Sequence, residues 1–218
     1  MPTLSTELRS KLEKAIIAAR NLGEKAAKAA LEGLAVNRAK PDSHMTGEQK
    51  RLRNHLRARA RQLGDKKHAN DEHEIRHLAH ECAYEHWHRM LFARFLAEND
   101  LLMFCPAWLS AEPAAAAGDA ETVPVSLEEC ADLAAEAGLK TGWEAAARLA
   151  SRMLPQIFRQ TSPVLRLALP PEHEQKLERL VAGLSPEVFT ASDAIGWVYQ
   201  FWQAKRKDEV NASEVKIG

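Results

Sequence analysis

The chain has 218 residues, 45% of them hydrophobic, which is enough to bury a core as one large domain or two small ones. Lysine plus arginine and aspartate plus glutamate number 30 each, so the net charge of zero assigns no class of partner by itself. No apolar run approaches the roughly 18 residues of a membrane span, no signal peptide is recognisable, and the three cysteines form no C-x-x-C pair, which argues against membrane insertion and export and favours a reduced, cytoplasmic setting.

Charge is distributed unevenly along the chain. Residues 38–67 contain ten basic and three acidic residues, whereas residues 112–144 contain eight acidic residues and one basic residue. The basic block favours contact with a polyanion or with an acidic protein surface.

Helical periodicity begins near the amino terminus. Apolar residues recur every three or four positions over residues 6–36, which predicts one long amphipathic helix that Gly23 could bend. Thr46 with Gln49 three residues later has the spacing of a capping box and predicts a second helix to about Leu63.

The longest uninterrupted helical stretch covers residues 71–98 and contains neither glycine nor proline. Asp71 with Glu74 has capping-box spacing, and Asn99 supplies a stop. Apolar residues cover nearly the whole circumference of its second half, which is typical of a helix buried among others. We therefore expect the chain to be arranged around one long central helix.

Residues 111–125 contain two prolines, four consecutive alanines and a glycine, which predicts a linker or exposed loop between subdomains over residues 1–110 and 126–218. Residues 163–169 are apolar and could be extended. Capping or proline signals predict further helices beginning near Ser126, Thr141, Pro170 and Ser192. No period-two alternation persists, so we predict an all-α, multi-helix bundle with no substantial sheet.

The second predicted helix carries four basic side chains on one face. They recur every three or four residues, which spaces them roughly 5–6 Å apart along the axis, close to the phosphate repeat of a nucleic-acid strand. We expect contact with a DNA backbone, although a solvated face or an acidic partner surface explains the same pattern. The four residues are Lys50, Arg53, Arg57 and Arg61.

Histidines cluster on the central helix, where spacings of three and four suggest metal binding. Carboxylate-bridged sites in helical bundles need acids from several helices, and the Glu-x-x-His pairs here lie on one helix. A polar stripe that hydrogen-bonds to neighbouring helices is therefore the simpler interpretation, and no metal is expected. The candidate ligands on the metal alternative are His73, His77, His80 and His88.

The last predicted helix, residues 193–206, has two apolar faces. One is formed by Ile195, Val198, Tyr199 and Trp202, and the other by Trp197 and Phe201. Two apolar faces need two partners, so we expect Trp197 and Phe201 to pack against polypeptide outside these 218 residues.

Two segments resemble a known family. Residues 83–99 resemble a pattern of paired aromatics, Asn or His, Arg, apolar residues, Arg-Phe and an acid with Asn near the start of large DNA adenine methyltransferases. Residues 193–210 are similar to the Gly-Trp-x-Tyr-Gln-aromatic-aromatic segment that precedes their catalytic domain. The family comprises the PglX-type enzymes of BREX phage defence and their type IIG restriction-modification relatives, and the resemblance covers residues 52–218.

The resemblance implies that a Rossmann-like domain follows these residues. In the family that domain binds S-adenosylmethionine through a Gly-rich turn and holds a flipped adenine with an Asn-Pro-Pro-aromatic motif. This sequence contains no Asn-Pro pair, no closely spaced Gly-x-Gly, and no G-x-S-x-G, H-E-x-x-H or Walker motif. No catalytic residue is therefore expected here, and no cofactor in these residues.

On this interpretation the chain is an N-terminal helical platform. Its expected partners are its own C-terminal methyltransferase domain, double-stranded DNA and other subunits of a defence system. Two alternatives remain open: a free-standing helical interaction or regulatory module, and a small histidine-rich metal-binding protein.

Overall fold

The computed structural model describes residues 2–109, 121–155, 158 and 161–212, and the side chains of these residues except 107, 109 and 205–212. The described chain is predominantly helical, which confirms the predicted all-α class. In chain order its elements are α1 (Thr6–Gly33), α2 (Gly47–Gln62), α3 (Arg76–Glu98), β1 (Met103–Phe104), α4 (Pro106–Leu109), β2 (Val123–Pro124), α5 (Leu127–Glu136), α6 (Gly142–Met153), α7 (Pro171–Ala182), α8 (Pro186–Thr190) and α9 (Ala194–Ala212).

Local caps explain where several helices begin. The Thr46 hydroxyl accepts from the Gln49 amide at 3.2 Å, and the Gln49 side chain accepts from the Thr46 amide at 2.9 Å, which is the predicted capping box of α2. Ser126 and Glu129 form the same reciprocal pair at α5. Short-range signals of this kind are read correctly from the sequence because both partners lie within one turn.

The start predicted for the central helix was wrong. Asp71 has a φ of 65° in the left-handed region, and α3 begins five residues later at Arg76. Its cap comes from the end of α2, where the buried carboxylate of Asp65 accepts from the amides of His77 and Leu78 at 2.9 Å each. Two of the four amide groups that open a helix are satisfied in this way.

Two other expectations also differ from the structure. α1 is one continuous helix, and an added Cβ at Gly23 would lie 3.2 Å from the Ala83 Cβ, so this glycine allows α1 and α3 to approach closely. Residues 163–167 form turns and a bend and not one extended segment. The antiparallel pair β1–β2 and the short helix α8 carry no period long enough to be predicted.

Helix α3 lies at the centre of the packing. Its first half joins α1, α2, α7, α8 and α9 in one hydrophobic cluster, and its second half joins α5, α6 and Phe158 in another. The first cluster unites helices from both sides of residues 111–125, and most of that predicted linker lies outside the described residues. The central helix is buried among others as predicted.

Candidate nucleic-acid interface

The four basic residues of α2 do not form one solvent-facing stripe. Arg53 and Arg57 are only 4% and 8% exposed, whereas Arg61 is exposed and Lys50 is half-buried. The stripe is therefore split into two buried arginines between two more accessible cations.

Both buried arginines bind backbone carbonyls of neighbouring loops. Arg53 Nε donates to the Ala35 carbonyl at 2.8 Å, and the Arg57 guanidinium donates to the carbonyls of Arg38 and Asp71. Ala35 and Asp71 are non-glycine residues with φ of 52° and 65°, a conformation that costs free energy. Arg53 and Arg57 thus hold two strained turns against α2 through hydrogen bonds. The spacing of arginines along a helix does not distinguish this intramolecular role from contact with DNA.

A basic surface remains around these anchors. Its accessible cations are Lys40, Lys50, Arg51, Arg61 and Lys66. Among the described residues, no carboxylate lies within ion-pair distance of any of these five, because the nearby acids pair elsewhere. Asp42 pairs with Arg38, and Glu48 pairs with Arg166. DNA contact therefore stays a prediction for Lys50 and Arg61, with Arg51 and Lys66 beside them.

Burial sets the chemistry of His73, which lies beside α2. It is 4% exposed, and neither ring nitrogen has a hydrogen-bond partner among the described residues. Burial and then the positive charges of Arg57 and Arg61 lower the pKa of His73 to about 4, so the ring is neutral near pH 7.

The other histidines mostly serve helix packing. His80 Nδ1 donates to Glu24 of α1 at 3.0 Å, and His86 Nε2 donates to the Val164 carbonyl at 3.1 Å. The His88 ring stacks on Tyr84 with centroids 5.0 Å apart, and His77 contacts Arg76. No group of three or more potential ligands in the described ranges could hold a metal ion, so His73, His77, His80 and His88 do not converge.

The segments over residues 83–99 and 193–210 pack against each other. Trp202 of α9 is fully buried and stacks on Trp87 of α3, with ring centroids 5.1 Å apart and planes at 16°. Tyr84 contacts the same Trp202 ring edge-on at 5.4 Å. Trp87 and Tyr84 therefore join the centre of α3 to α9 through one buried ring, that of Trp202.

The outer face of α9 differs from the one expected. Trp197 and Phe201 stack on each other at 5.4 Å and are half-buried, with the Arg9 guanidinium 4.7 Å from the Trp197 ring. Tyr199, expected to face inward, is 58% exposed. The chain itself covers part of the Trp197 and Phe201 face, and the most accessible aromatic side chain of α9 is Tyr199.

Two polar residues of the first segment hold α3 in place. Arg94 is 6% exposed, donates to Glu98 at 3.1 Å and to the Val181 carbonyl, and lies over the Phe189 ring. The side-chain amide of Asn99 donates from Nδ2 to the Phe189 carbonyl at 3.1 Å. A sequence pattern cannot reveal these contacts, because the partners in α7 and α8 are about 90 residues away.

A polar groove lies between α2, α3 and the turn at residues 161–165, with a volume of about 620 Å³. An ion pair between Arg59 and Glu81 lines it, together with His55 and Ser162. The sequence gives no signal for this groove, since the turn at residues 161–165 lies about 80 to 100 residues along the chain from the walls in α2 and α3.

No family model, no curated protein and no solved structure matches this chain. Within the described ranges, every helix is too short or too polar to cross a membrane.

Proposed function

We propose that these 218 residues are the non-catalytic helical region of a site-specific DNA N6-adenine methyltransferase from a phage-defence or restriction-modification system. In this role they support a catalytic domain in the cytoplasm and contact the DNA backbone through α2. S-adenosylmethionine belongs to that catalytic domain. Because the chain has no Gly-x-Gly turn and no Asn-Pro-Pro motif, no step of methyl transfer is assigned to its residues.

The observation that carries the proposal is the stack of Trp87 on Trp202. The two family-like segments are separated by about 90 residues, yet their tryptophans form one buried contact. A rigid junction of this kind is what a platform needs if α9 leads into a further domain, because motion of α9 would otherwise move that domain relative to DNA bound elsewhere.

The accessible cations of α2 support the DNA part of the proposal. Lys50 and Arg61 lie eleven residues apart on one face, which separates them by about 16 Å along the helix. Phosphate contacts of this sort position a protein on a duplex without reading its sequence.

The encoding DNA gives a direct test of the platform role. We expect the reading frame to continue past codon 218 into a Gly-rich turn and an Asn-Pro-Pro-aromatic motif. The longer protein should then transfer a methyl group from S-adenosylmethionine to adenine in duplex DNA, detected as N6-methyladenine. A stop codon directly after Gly218 contradicts the proposal.

A free-standing interaction module is the second candidate, and the surface of α9 favours it. Tyr199 is 58% exposed, and a Cβ at the neighbouring Gly196 would meet nothing within 4 Å, so a partner could approach the helix closely. Analytical ultracentrifugation of the chain and of Tyr199→Asp tests for self-association through this face. A concentration-independent monomer in both samples counts against a second copy as the partner.

A further inference from the structure

A group of buried polar atoms without partners lies beside α2. Both ring nitrogens of His73 and the Oδ1 of Asn37 are closed to solvent and have no hydrogen-bond partner among the described residues. The two residues adjoin, since the His73 amide donates to the Asn37 carbonyl at 2.9 Å. A neutral imidazole carries one donor and one acceptor, and a buried polar group left unpaired destabilises the folded state. A bound water molecule or ion would satisfy these atoms.

The charges around His73 indicate what that partner is. The positive charges of three cations of α2 and one of the following turn lower the pKa of the His73 ring, and the negative charge of Asp71 has the opposite effect. The cations are Arg53, Arg57, Arg61 and Lys67. The α1–α2 loop contributes Arg38 and Asp42, which pair at 2.9 Å and add no net charge. A site with more cations than acids favours an anion and disfavours a metal ion.

We propose that His73 and Arg57, with Asn37 beside them, bind one phosphate-type oxyanion, either free or carried by a nucleic-acid backbone. This site adds to the proposed DNA contact. It depends on that contact only if the phosphate is carried by a nucleic-acid backbone. Arg57 now donates to the neutral carbonyls of Arg38 and Asp71, and a phosphate oxygen would replace them with a charged acceptor. A phosphate oxygen carries negative charge, so it attracts the Arg57 guanidinium more strongly than a neutral carbonyl oxygen does.

Protonation should accompany binding. A bound anion offsets the field of Arg53, Arg57, Arg61 and Lys67, so it favours the charged imidazolium. The protonated ring has a second N–H, which gives a bound phosphate oxygen one more donor. The anion should therefore bind more tightly as the pH falls from about 7 toward 4.

Nuclear magnetic resonance of the histidine rings tests the site directly. Inorganic phosphate is added to the full chain at constant ionic strength, and the ring signals are followed against pH. We expect saturable shifts at His73 and a rise of its pKa toward 6.5, while the exposed His44 shows only a small drift. His73 signals that follow those of His44 up to high phosphate concentration overturn the proposal.

Two variants separate binding from folding. His73→Phe should abolish the phosphate-induced shift of the Arg57 Nε signal while the circular dichroism spectrum is retained. Asn37→Asp places a fixed carboxylate beside the ring, so it should raise the His73 pKa without phosphate and weaken phosphate binding at least tenfold. If Asn37→Asp folds and binds phosphate as the wild type does, the proposed site is wrong.

A short DNA duplex in place of phosphate distinguishes the two sources. Shifts at His73 with phosphate but not with the duplex assign the site to free phosphate and support the inference without the DNA contact. Shifts at Lys50 and Arg61 with the duplex, and none at His73 with either addition, leave the proposed function standing and overturn this inference.

Discussion

His86 shows how a single buried side chain couples this fold to pH. Its ring is 3% exposed at the middle of α3, and Nε2 donates to the Val164 carbonyl at 3.1 Å. Burial, followed by the positive charge of Arg89, lowers its pKa to about 4. In the unfolded chain the pKa returns to about 6.5, so the unfolded state binds more protons between these values.

Stability should therefore fall as the pH falls from about 6.5 to about 4. At about pH 4.5, His86 alone should cost about 2–3 kcal/mol of unfolding free energy relative to about pH 7.5. Replacement by glutamine, which cannot be protonated, should remove this part of the acid loss. Urea unfolding at both pH values measures it.

The exposed His44 provides the matched control for that experiment. His44→Gln should lose as much stability on acidification as the wild type. Equal acid losses in His86→Gln and the wild type would mean that the ring is protonated in the folded protein.

At the scale of the element, the cap of α3 is the feature that the sequence concealed. Asp65→Ala removes both hydrogen bonds to the amides of His77 and Leu78 and the negative charge at the amino-terminal end of the helix. We expect a loss of about 2 kcal/mol in unfolding free energy, near the upper end for helix caps, because the carboxylate is buried.

Asp132→Ala is the control for that substitution, since it removes the same charge from the exposed face of α5. Its unfolding free energy should stay within about 0.5 kcal/mol of the wild type. Equal effects of the two substitutions would show that Asp65 does not cap α3.

The junction of α3 and α9 gives a second test at this scale. Trp202→Ala empties a fully buried site stacked on Trp87 and should cost about 3–5 kcal/mol. Tyr199→Ala, on the same helix but 58% exposed, should cost less than about 1 kcal/mol. Denaturation followed by far-ultraviolet circular dichroism compares them, and a small effect of Trp202→Ala would contradict the rigid junction.

What the sequence predicts correctly has a common physical basis. The helix class, the caps at Thr46 and Ser126 and the burial of α3 depend on residues within one or two turns of each other. The cap from Asp65 and the loop carbonyls bound by Arg53 depend on partners that folding brings together. Arginines that recur every three or four residues have the same spacing whether they face solvent or a loop. The sequence therefore locates the basic residues of α2 but does not show which of them are buried.

The whole molecule keeps the charge segregation of its sequence. The basic surface of α2 lies near the first half of α3, where Arg59 pairs with Glu81, and the exposed acids of α5 lie near its second half. These acids are Glu128, Glu129, Asp132 and Glu136. A polyanion should therefore associate at the α2 end of the molecule and be repelled from the α5 end. Its association rate should decrease as the salt concentration rises.

Reversing all four stripe charges cannot isolate this effect, because Arg53 and Arg57 hold the loops beside α2. Replacing only Lys50 and Arg61 by glutamine leaves those anchors intact. The double variant should unfold within about 1 kcal/mol of the wild type, since both side chains are accessible. Thermal unfolding checks this before any binding experiment.

Fluorescence anisotropy of a labelled DNA duplex, measured against salt concentration, tests the central claim most directly. The account predicts weaker binding by Lys50→Gln/Arg61→Gln and a salt slope smaller by about 2, since each phosphate contact contributes about 0.9. The control Lys14→Gln/Lys25→Gln, which removes the same charge from exposed positions on α1, should retain the wild-type slope. Equal affinity and equal slope in the wild type and both variants would contradict DNA contact through α2.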